Sequence, residues 1–454
     1  MSDWKCYQLK NLGIIKTGKT PASSCKDAFS NTGVPFVTPK DMNGVKTIFK
    51  TERYLSKIGL DSVKNYLVPK NSIAVSCIGS DMGKAYLLSE DSVTNQQINT
   101  LIVNNNHNFE FIYYKLSIMQ DYLKSIAGGS ATPILNKSHF SEIEIELPDL
   151  DTQNNFVEKL KYLDKKIQLN TQINQTLEQI AQALFKSWFV DFDPVRAKVQ
   201  ALSDGLSFEQ AELAAMQAIS GKTAEELTAL SQTQPDRYAE LAETAKAFPC
   251  EMVEVDGVEV PKGWEMKALS DLGQIICGKT PSKSNKEFYG DDVPFIKIPD
   301  MHNQVFITQT TDNLSVAGAN SQSKKYIPAK SICVSCIATV GLVSMTSKPS
   351  HTNQQINSII PDDEQSCEFL YLSLKQPSMT KYLKDLASGG SATLNLNTST
   401  FSKIEIITPS KEIIDIFHNK VVYAFGKILS NSIENKRLAE IRDLLLPRLL
   451  NGEI

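Results

Sequence analysis

The sequence predicts a duplicated α/β or α+β fold, with two globular domains joined by two long antiparallel coiled-coil helices in a pseudo-two-fold arrangement. Three observations predict it: an internal repeat, short strand-like runs within each copy, and a heptad pattern after each copy. The predicted boundaries are residues 1–150 for the first domain, 151–187 for the first helix, 188–262 for an acidic connector, 263–409 for the second domain and 410–450 for the second helix.

Short motifs of the first 150 residues return later in the chain in the same order. They include Gly-Lys-Thr-Pro, Thr-Asn-Gln-Gln-Ile-Asn and Gly-Gly-Ser-Ala-Thr, and the offset between the copies stays between 258 and 261 residues. The paired runs are 18–21 with 278–281, 94–99 with 352–357, and 128–132 with 389–393. Chance does not produce so regular an offset, so the chain contains a duplication.

Each copy alternates β-branched or aromatic runs, such as Ile73-Ala74-Val75, with Gly, Pro and Asn. This texture predicts strands and loops. Residues 109–126 place apolar side chains at helical spacing and predict a helix. Each copy is therefore expected to be an α/β or α+β domain of roughly 145 residues.

A 3.5-residue apolar period follows each copy and predicts a coiled-coil seam. The seam positions expected to pair the helices are Leu160, Leu163, Ile167, Asn170, Asn174 and Leu177 in the first helix and Ile428, Asn431, Asn435 and Leu438 in the second. Two asparagines in each seam are costly to bury unless they pair, which favours helices that pack on each other. The alternative is that each helix packs only on its own domain.

The net charge of −4 is unevenly distributed. Residues 1–90 hold 13 Lys and Arg against 7 Asp and Glu, whereas residues 187–262 hold 6 against 14. Local charge governs phosphate contact, so a DNA partner is not excluded, and the acidic connector is expected to face protein. No apolar run suggests a membrane span, and eight scattered cysteines favour the cytoplasm.

Residues 13–20 and 273–280 both match the phosphate-binding pattern G-x-x-x-x-G-K-[ST]. A working P-loop needs a buried strand before it and a helix that opens at the Lys-Thr pair, but Pro21 and Pro281 follow at once. We therefore expect the loop to offer its lysine and its backbone N–H groups to DNA phosphates. A P-loop-like NTPase stays as an alternative.

Two further patterns give only weak indications of a metal site or of nuclease activity. Cys333 and Cys336 form a lone C-x-x-C, which favours a strand with buried thiols over a metal site. The nuclease-like spacing Glu265-Met266-Lys267 has no counterpart in the first copy. We predict no catalytic residue, no metal and no cofactor in this chain.

The ordered motifs, together with Leu-Phe-Lys-Ser-Trp-Phe-Val-Asp-Phe-Asp-Pro-Val-Arg at 184–196 and Val-Pro-Lys-Gly-Trp at 260–264, resemble the specificity subunit of type I restriction–modification systems. The resemblance covers essentially the whole chain. It implies two target recognition domains that each read half of a bipartite site in double-stranded DNA, with the helices setting the spacer. It also implies partners: two methyltransferase subunits that use S-adenosylmethionine on adenine, and restriction or translocase subunits that use ATP and Mg.

Base reading needs amides and cations at loop tips. The DNA-binding candidates are Lys19, Thr20, Lys40, Lys46, Ser130 and Thr132 in the first domain and Lys279, Thr280, Lys283, Lys297, Ser391 and Thr393 in the second. Residues shared by both copies cannot distinguish two half-sites, so base readers are expected where the copies differ. The remaining alternative is a coiled-coil protein adaptor that reads no DNA.

Overall fold

The computed structural model describes residues 4–42, 46–79, 81–127, 134–255, 257–388 and 394–450. It contains two compact units, Met1–Leu169 with Arg437–Ile454 and Asn170–Lys436. Each unit holds one copy of the repeat and a part of each long helix.

The first unit is built on a five-stranded sheet in which antiparallel neighbours dominate. Its strands, in spatial order, are Gly13–Thr17, Ile98–Val103, Ile73–Ser76, Ala85–Leu88 and Thr47–Ile48. A second five-stranded sheet has the order Phe29–Ser30, Arg53–Leu55, Val34–Val37, Ser92–Thr94 and Leu67–Val68. Strands Lys5–Gln8 and Glu144–Leu147 pair antiparallel, so the two ends of the domain meet.

The second unit repeats this topology. Its main sheet has the order Gly273–Cys277, Ile356–Pro361, Ile332–Ser335, Val343–Thr346 and Phe306–Ile307. Its second sheet has three strands, Asp312–Leu314, Tyr289–Ile296 and His351–Thr352, and the terminal strands Glu265–Ala268 and Glu405–Thr408 pair as in the first unit. The register repeats as well, because Asn99 lies opposite Thr17 and Asn357 lies opposite Cys277. The predicted duplication of an α/β fold is confirmed.

Short helices cover the sheets. Those of the first unit are Leu9–Leu12, Lys57–Val63, Phe109–Ser117, Gln120–Ser125 and Lys137–Glu142. Those of the second copy are Val316–Asn320, Cys367–Lys375, Pro377–Ala387 and Thr398–Ser402. The predicted helix at 109–126 is interrupted at Ile118 and Met119, so the apolar period spans two helices.

The first long helix is Leu150–Phe189 and the second long helix is Lys411–Leu450. In the second unit they run antiparallel and pair through the predicted asparagines. Asn170 donates to Asn435 at 3.0 Å, and Asn431 donates to Asn174 at 2.9 Å. Asn170 and Asn431 are both 1% exposed, and the side-chain nitrogen of each finds an acceptor across the helix pair. The alternative in which each helix packs only on its own domain is wrong.

The connector folds into four helices, Asp193–Ser203, Phe208–Ser220, Ala224–Thr233 and Pro235–Ala247, followed by a hairpin of Met252–Val255 and Val258–Pro261. Capping boxes begin two of the helices at Ser207 and Thr223. Glu240 pairs with Lys420 of the second long helix, so one acidic side chain of the connector contacts protein.

The aromatic run at the end of the first long helix forms part of the second unit's core. Trp188 and Phe189 are buried, and both contact the ring of Phe417 on the second long helix. Trp264 packs edge-on against Phe192 with a centroid distance of 5.6 Å. Burial of such large rings contributes apolar packing to this junction.

Cys333 and Cys336 are buried, as the lone C-x-x-C predicted. Burial raises the pKa of the Cys333 thiol to about 12 and that of Cys336 to about 11. Within the described ranges, no helix is both long and apolar enough to cross a membrane. Over the same part of the chain, no three His, Cys, Asp or Glu side chains group as metal ligands.

Candidate nucleic-acid interface

In each unit the Gly-Lys-Thr loop lies on the turn formed by Thr-Asn-Gln-Gln. The N–H of Gly18 donates to the carbonyl of Ile98 at 3.1 Å, and the N–H of Lys19 donates to that of Thr94 at 2.8 Å. The second unit repeats both bonds, from Gly278 to Ile356 and from Lys279 to Thr352. The loop is therefore held by the same backbone contacts in both copies.

Glycine is required at this approach. A Cβ on Gly18 would lie 2.2 Å from the carbonyl oxygens of Thr94 and Asn95, and one on Gly278 would lie 2.1 Å from that of Asn353. Because these are backbone atoms, no side-chain rotation relieves the clash. The glycine of the phosphate-binding pattern is thus explained by packing within the domain.

Side chains of the two motifs also bond to each other. Thr20 donates its hydroxyl to Gln96 at 2.7 Å, and Thr280 donates to Gln354 at 2.6 Å. Asn95 donates to the side chain of Gln97 at 3.0 Å, a bond that the second unit repeats at 2.9 Å. The hydroxyl groups of Thr20 and Thr280 are therefore already used as donors inside the fold.

The loop lacks the geometry of a P-loop. Residues 18–28 and 278–285 contain no helix, so no helix opens at the Lys-Thr pair of either loop. The expectation that this loop offers backbone N–H groups to phosphate is wrong for the first two residues, Gly18 and Lys19, whose amides bond to carbonyls. What the loop presents is the lysine side chain.

Four of the lysine candidates are exposed: Lys19, Lys40, Lys279 and Lys283. None of them makes an ion pair with another described residue. The Lys19 ammonium lies 5.3 Å from the centre of the Tyr66 ring, a cation–π contact that holds the charge at the surface. These ammonium groups are available to an anionic partner.

The structure contradicts the prediction that Lys46 binds DNA. Its side chain is 11% exposed, and its ammonium lies 2.9 Å from Glu110 and 3.1 Å from Asp164. It also donates to the Tyr114 hydroxyl at 2.8 Å. A cation held by two carboxylates in the interior cannot reach a phosphate, so Lys46 is removed from the DNA-binding candidates.

The structure weakens the prediction that Lys297 binds DNA. Its ammonium pairs with Asp312, which neutralises much of its attraction for phosphate. The remaining candidates Ser130, Thr132, Ser391 and Thr393 lie outside the described residues.

The sequence reasoning missed Arg53. This exposed guanidinium lies over the rings of Phe29 at 4.5 Å and Phe36 at 5.3 Å. The repeat aligns Arg53 with Asp312, so the charge at this position is opposite in the two copies. The signal was present in the sequence, because a search for charge reversals between the copies finds it.

Comparison with known proteins places these features in a family. Residues 1–179 and 261–443 match the family described as Type I restriction modification DNA specificity domain. The chain belongs to this family. This specificity subunit is 67% identical over 468 residues to the Type I restriction enzyme HindI specificity subunit of Haemophilus influenzae, and the alignment covers 100% of both chains.

Alignments with more distant proteins also extend over nearly the whole specificity subunit. It is 25% identical over 464 residues to the MjaIX specificity subunit of Methanocaldococcus jannaschii, covering 100% of this chain and 94% of the relative. The solved S subunit from M. genitalium matches with a TM-score of 0.50 and 15% identity, covering 99% and 96% of the two chains. That likeness concerns the fold alone.

Proposed function

We propose that this specificity subunit reads a bipartite DNA target, with one half-site for each globular domain and with the long helices setting the spacer. In this proposal the recognition domains are residues 1–150 and 263–409, and the helices at 151–187 and 410–450 act as the spacer. The observation that carries the proposal is the duplication of a complete domain, exposed loop lysine included, in a chain of this family. Two similar reading domains suit a target of two parts.

The exposed lysines are assigned to the DNA backbone. Lys19 and Lys279 occupy the same place in both copies, so they contact phosphates, which carry no sequence information. Lys40 and Lys283 add further positive charge. Removing one such contact weakens binding on all sequences and reduces the salt slope by about one.

Base reading is assigned to positions where the copies differ. Arg53 is the strongest of these, because an exposed guanidinium can contact guanine with two hydrogen bonds. Its counterpart Asp312 accepts from Lys297, so the second domain presents different chemistry at the same place. Arg53→Ala should therefore relax the preference at one base pair, whereas Lys19→Ala should weaken binding uniformly; binding to a library of single-base variants separates the two.

Catalysis is assigned to partner chains. In this proposal the partners methylate adenine or cleave DNA, and S-adenosylmethionine, ATP and Mg bind to them. Two methyltransferase subunits are supported by a duplicated exposed surface on the long helices. In the first unit Tyr162 and Ile441 are 75% and 47% exposed, and in the second Tyr423 and Ile180 are 85% and 59% exposed.

The repeat relates Tyr162 to Tyr423 and Ile180 to Ile441, so each unit presents one Tyr and one Ile to solvent. Exposed apolar residues that recur in both copies favour two copies of one partner. Tyr162→Ala with Ile441→Ala should leave one methyltransferase subunit bound instead of two, as measured by mass photometry of the purified complex. Tyr382→Ala, which removes an exposed tyrosine from the second globular domain, is the matched control.

The decisive experiment maps methylated adenines across a genome in cells that express the partner subunits with and without this chain. We expect a split motif with a fixed spacer only when the chain is present. An adaptor that reads no DNA would leave the methylation pattern unchanged. Lengthening both long helices by one turn should change the spacer and leave both half-sites intact.

A further inference from the structure

Each globular domain packs on a small patch of the long helices that belongs to the same compact unit. The first helix patch consists of Val157, Asp164 and Arg442, and the second helix patch consists of His418, Phe425 and Ala181. The repeat, at an offset of 261 residues, aligns Val157 with His418, Asp164 with Phe425, and Ala181 with Arg442. The two patches are thus the same place in the two copies, occupied by different chemistry.

The first helix patch is ionic. Asp164, which is 8% exposed, accepts from the Lys46 ammonium at 3.1 Å and from the Arg442 guanidinium at 3.3 Å. It also accepts from the Tyr114 hydroxyl. Lys46 in turn lies 2.9 Å from Glu110. Two cations and two carboxylates therefore balance in the interior between the domain and its helices.

The second helix patch is apolar at the positions of Asp164 and Arg442, although Tyr371 of the domain also donates its hydroxyl to Glu178 of the first long helix at 2.8 Å. Phe425 is 1% exposed and packs against Phe306 and Tyr371, with centroid distances of 6.3 and 5.7 Å. Ala181 belongs to the same core. The domain residues of this core at the aligned positions are Val305 in place of Lys46 and Leu372 in place of Tyr114.

The glutamate that both copies carry at the same aligned position, Glu110 and Glu368, has a different partner in each unit. Glu110 is paired with Lys46 of its own domain. Glu368 is 3% exposed and pairs with His418 of the second helix patch at 2.7 Å. Val157 takes the place of His418 in the first unit, so that patch has an apolar side chain where the second has the histidine.

Because of these differences, a given domain would pack with different stability on the two helix patches. If the second domain occupied the first helix patch, Asp164 would face Val305 and Leu372 without Lys46 or Tyr114, and Glu368 would face Val157. Asp164 would then keep only Arg442, and Glu368 would lose His418. Loss of a partner by a buried charge is destabilising. If the first domain occupied the second helix patch, Lys46 and Glu110 would still pair with each other, so the mismatch would be milder.

We propose that the helix patches determine which recognition domain each half of the chain accepts, with Asp164 and Arg442 as the positioning residues of the first patch and His418 and Phe425 as those of the second. A domain is accepted where its residues at the aligned positions complement the patch. The assignment acts through packing of the chain on itself, so it holds whether or not the domains read DNA.

The test uses full-length chains with exchanged domains. In the first chimera, residues 265–408 also replace residues 5–147, so the exchange is made at the paired terminal strands of each domain. A second version of this chimera adds Val157→His, Asp164→Phe and Arg442→Ala, which gives the first helix patch the chemistry of the second. Amide hydrogen exchange of the transplanted main sheet reports how often the domain opens.

The altered patch should lower the opening equilibrium of the transplanted domain by about a hundredfold, as expected when buried charges are no longer left unpaired. The same three substitutions in the natural chain should raise the opening equilibrium of the first domain. This reversal of sign separates complementarity from a general gain or loss of stability.

The reciprocal chimera places residues 5–147 in the second half, with and without His418→Val, Phe425→Asp and Ala181→Arg. Its improvement should be smaller, about tenfold, because Lys46 and Glu110 remain paired. Equal behaviour of altered and unaltered chimeras in both directions, failure of all four to fold included, would overturn the proposal. An improvement accompanied by an unchanged methylation motif would instead count against the proposed function alone.

Discussion

The Gly-Lys-Thr loops and the helix patches show two opposite outcomes of one duplication. The loops keep the same residues and the same hydrogen bonds in both units, with Thr20 to Gln96 at 2.7 Å and Thr280 to Gln354 at 2.6 Å. The helix patches keep their place but change from Asp164 and Arg442 to Phe425 and Ala181. A site packed against backbone permits little change, whereas a site between two side-chain surfaces can change if both surfaces change together.

The loops should be the most sensitive place in both units. Gly18→Val and Gly278→Val each force a side chain onto backbone carbonyls near 2 Å, and each should cost at least about 4 kcal/mol of unfolding free energy. Urea denaturation of the full chain measures the loss. A loss in one unit only would show that the loops are not equivalent.

The helix patches should differ in their response to salt. Asp164→Ala leaves Lys46 paired only with Glu110 and Arg442 only with Asp443, and should cost about 2 kcal/mol. Phe425→Ala opens an apolar cavity and should cost about 3 to 4 kcal/mol. Chloride can partly compensate the first loss and not the second. Denaturation in 0.05 and 1 M NaCl should therefore bring the Asp164→Ala chain closer to the natural one and leave the Phe425→Ala deficit unchanged.

The stability of the second unit should depend on pH through His351. His351 is fully buried, neither ring nitrogen has a partner among the described residues, and burial lowers its pKa from 6.5 to about 4. Between these values the unfolded chain binds a proton that the folded chain does not, so stability falls as the pH is lowered from 6.5 toward 4.

The aligned residue in the first unit is Val93, which does not titrate. His351→Val should therefore flatten the acid dependence of the second unit, as followed by amide exchange at several pH values. Burial also lowers the pKa of the half-buried His107 in the first unit. His107→Gln is the control, because it should leave the acid dependence of the second unit unchanged. Retention of the full acid dependence by His351→Val would exclude His351 as its source.

The smallest effects should come from the loop threonines. Thr20→Val and Thr280→Val each remove one hydrogen bond to a glutamine, and each should cost about 1 kcal/mol. The two costs should agree within about 0.5 kcal/mol if the loops are equivalent scaffolds. Lys19→Ala, at an exposed position, is the control with little effect on stability.

The sequence predicted what depends on repetition and on local periodicity. The duplicated α/β fold and the packing of the asparagine-bearing helices on each other could be read from offsets and heptads, whereas the particular pair Asn170–Asn435 came from the structure. The strand of Cys333 followed from its β-branched neighbours.

What could not be predicted depends on contacts between distant parts of the chain. Lys46 looked like a surface cation because Asp164 and Arg442, which bury and neutralise it, lie far along the sequence. The amides of Gly18 and Lys19 looked free because their acceptors lie on another strand and its turn. A lysine or an amide shows its role only when the fold has brought up its partner.

The most direct test of half-site reading is an exchange of the first domain alone. Residues 5–147 are replaced by the matching domain of another specificity subunit. At the aligned positions the incoming domain carries the side chains of Lys46, Glu110 and Tyr114, so that it still complements the first helix patch. Methylated adenines are then mapped in cells that carry the partner subunits. We predict that one half of the motif changes while the other half and the spacer stay the same; a motif that changes in both halves, or in neither, would contradict the account.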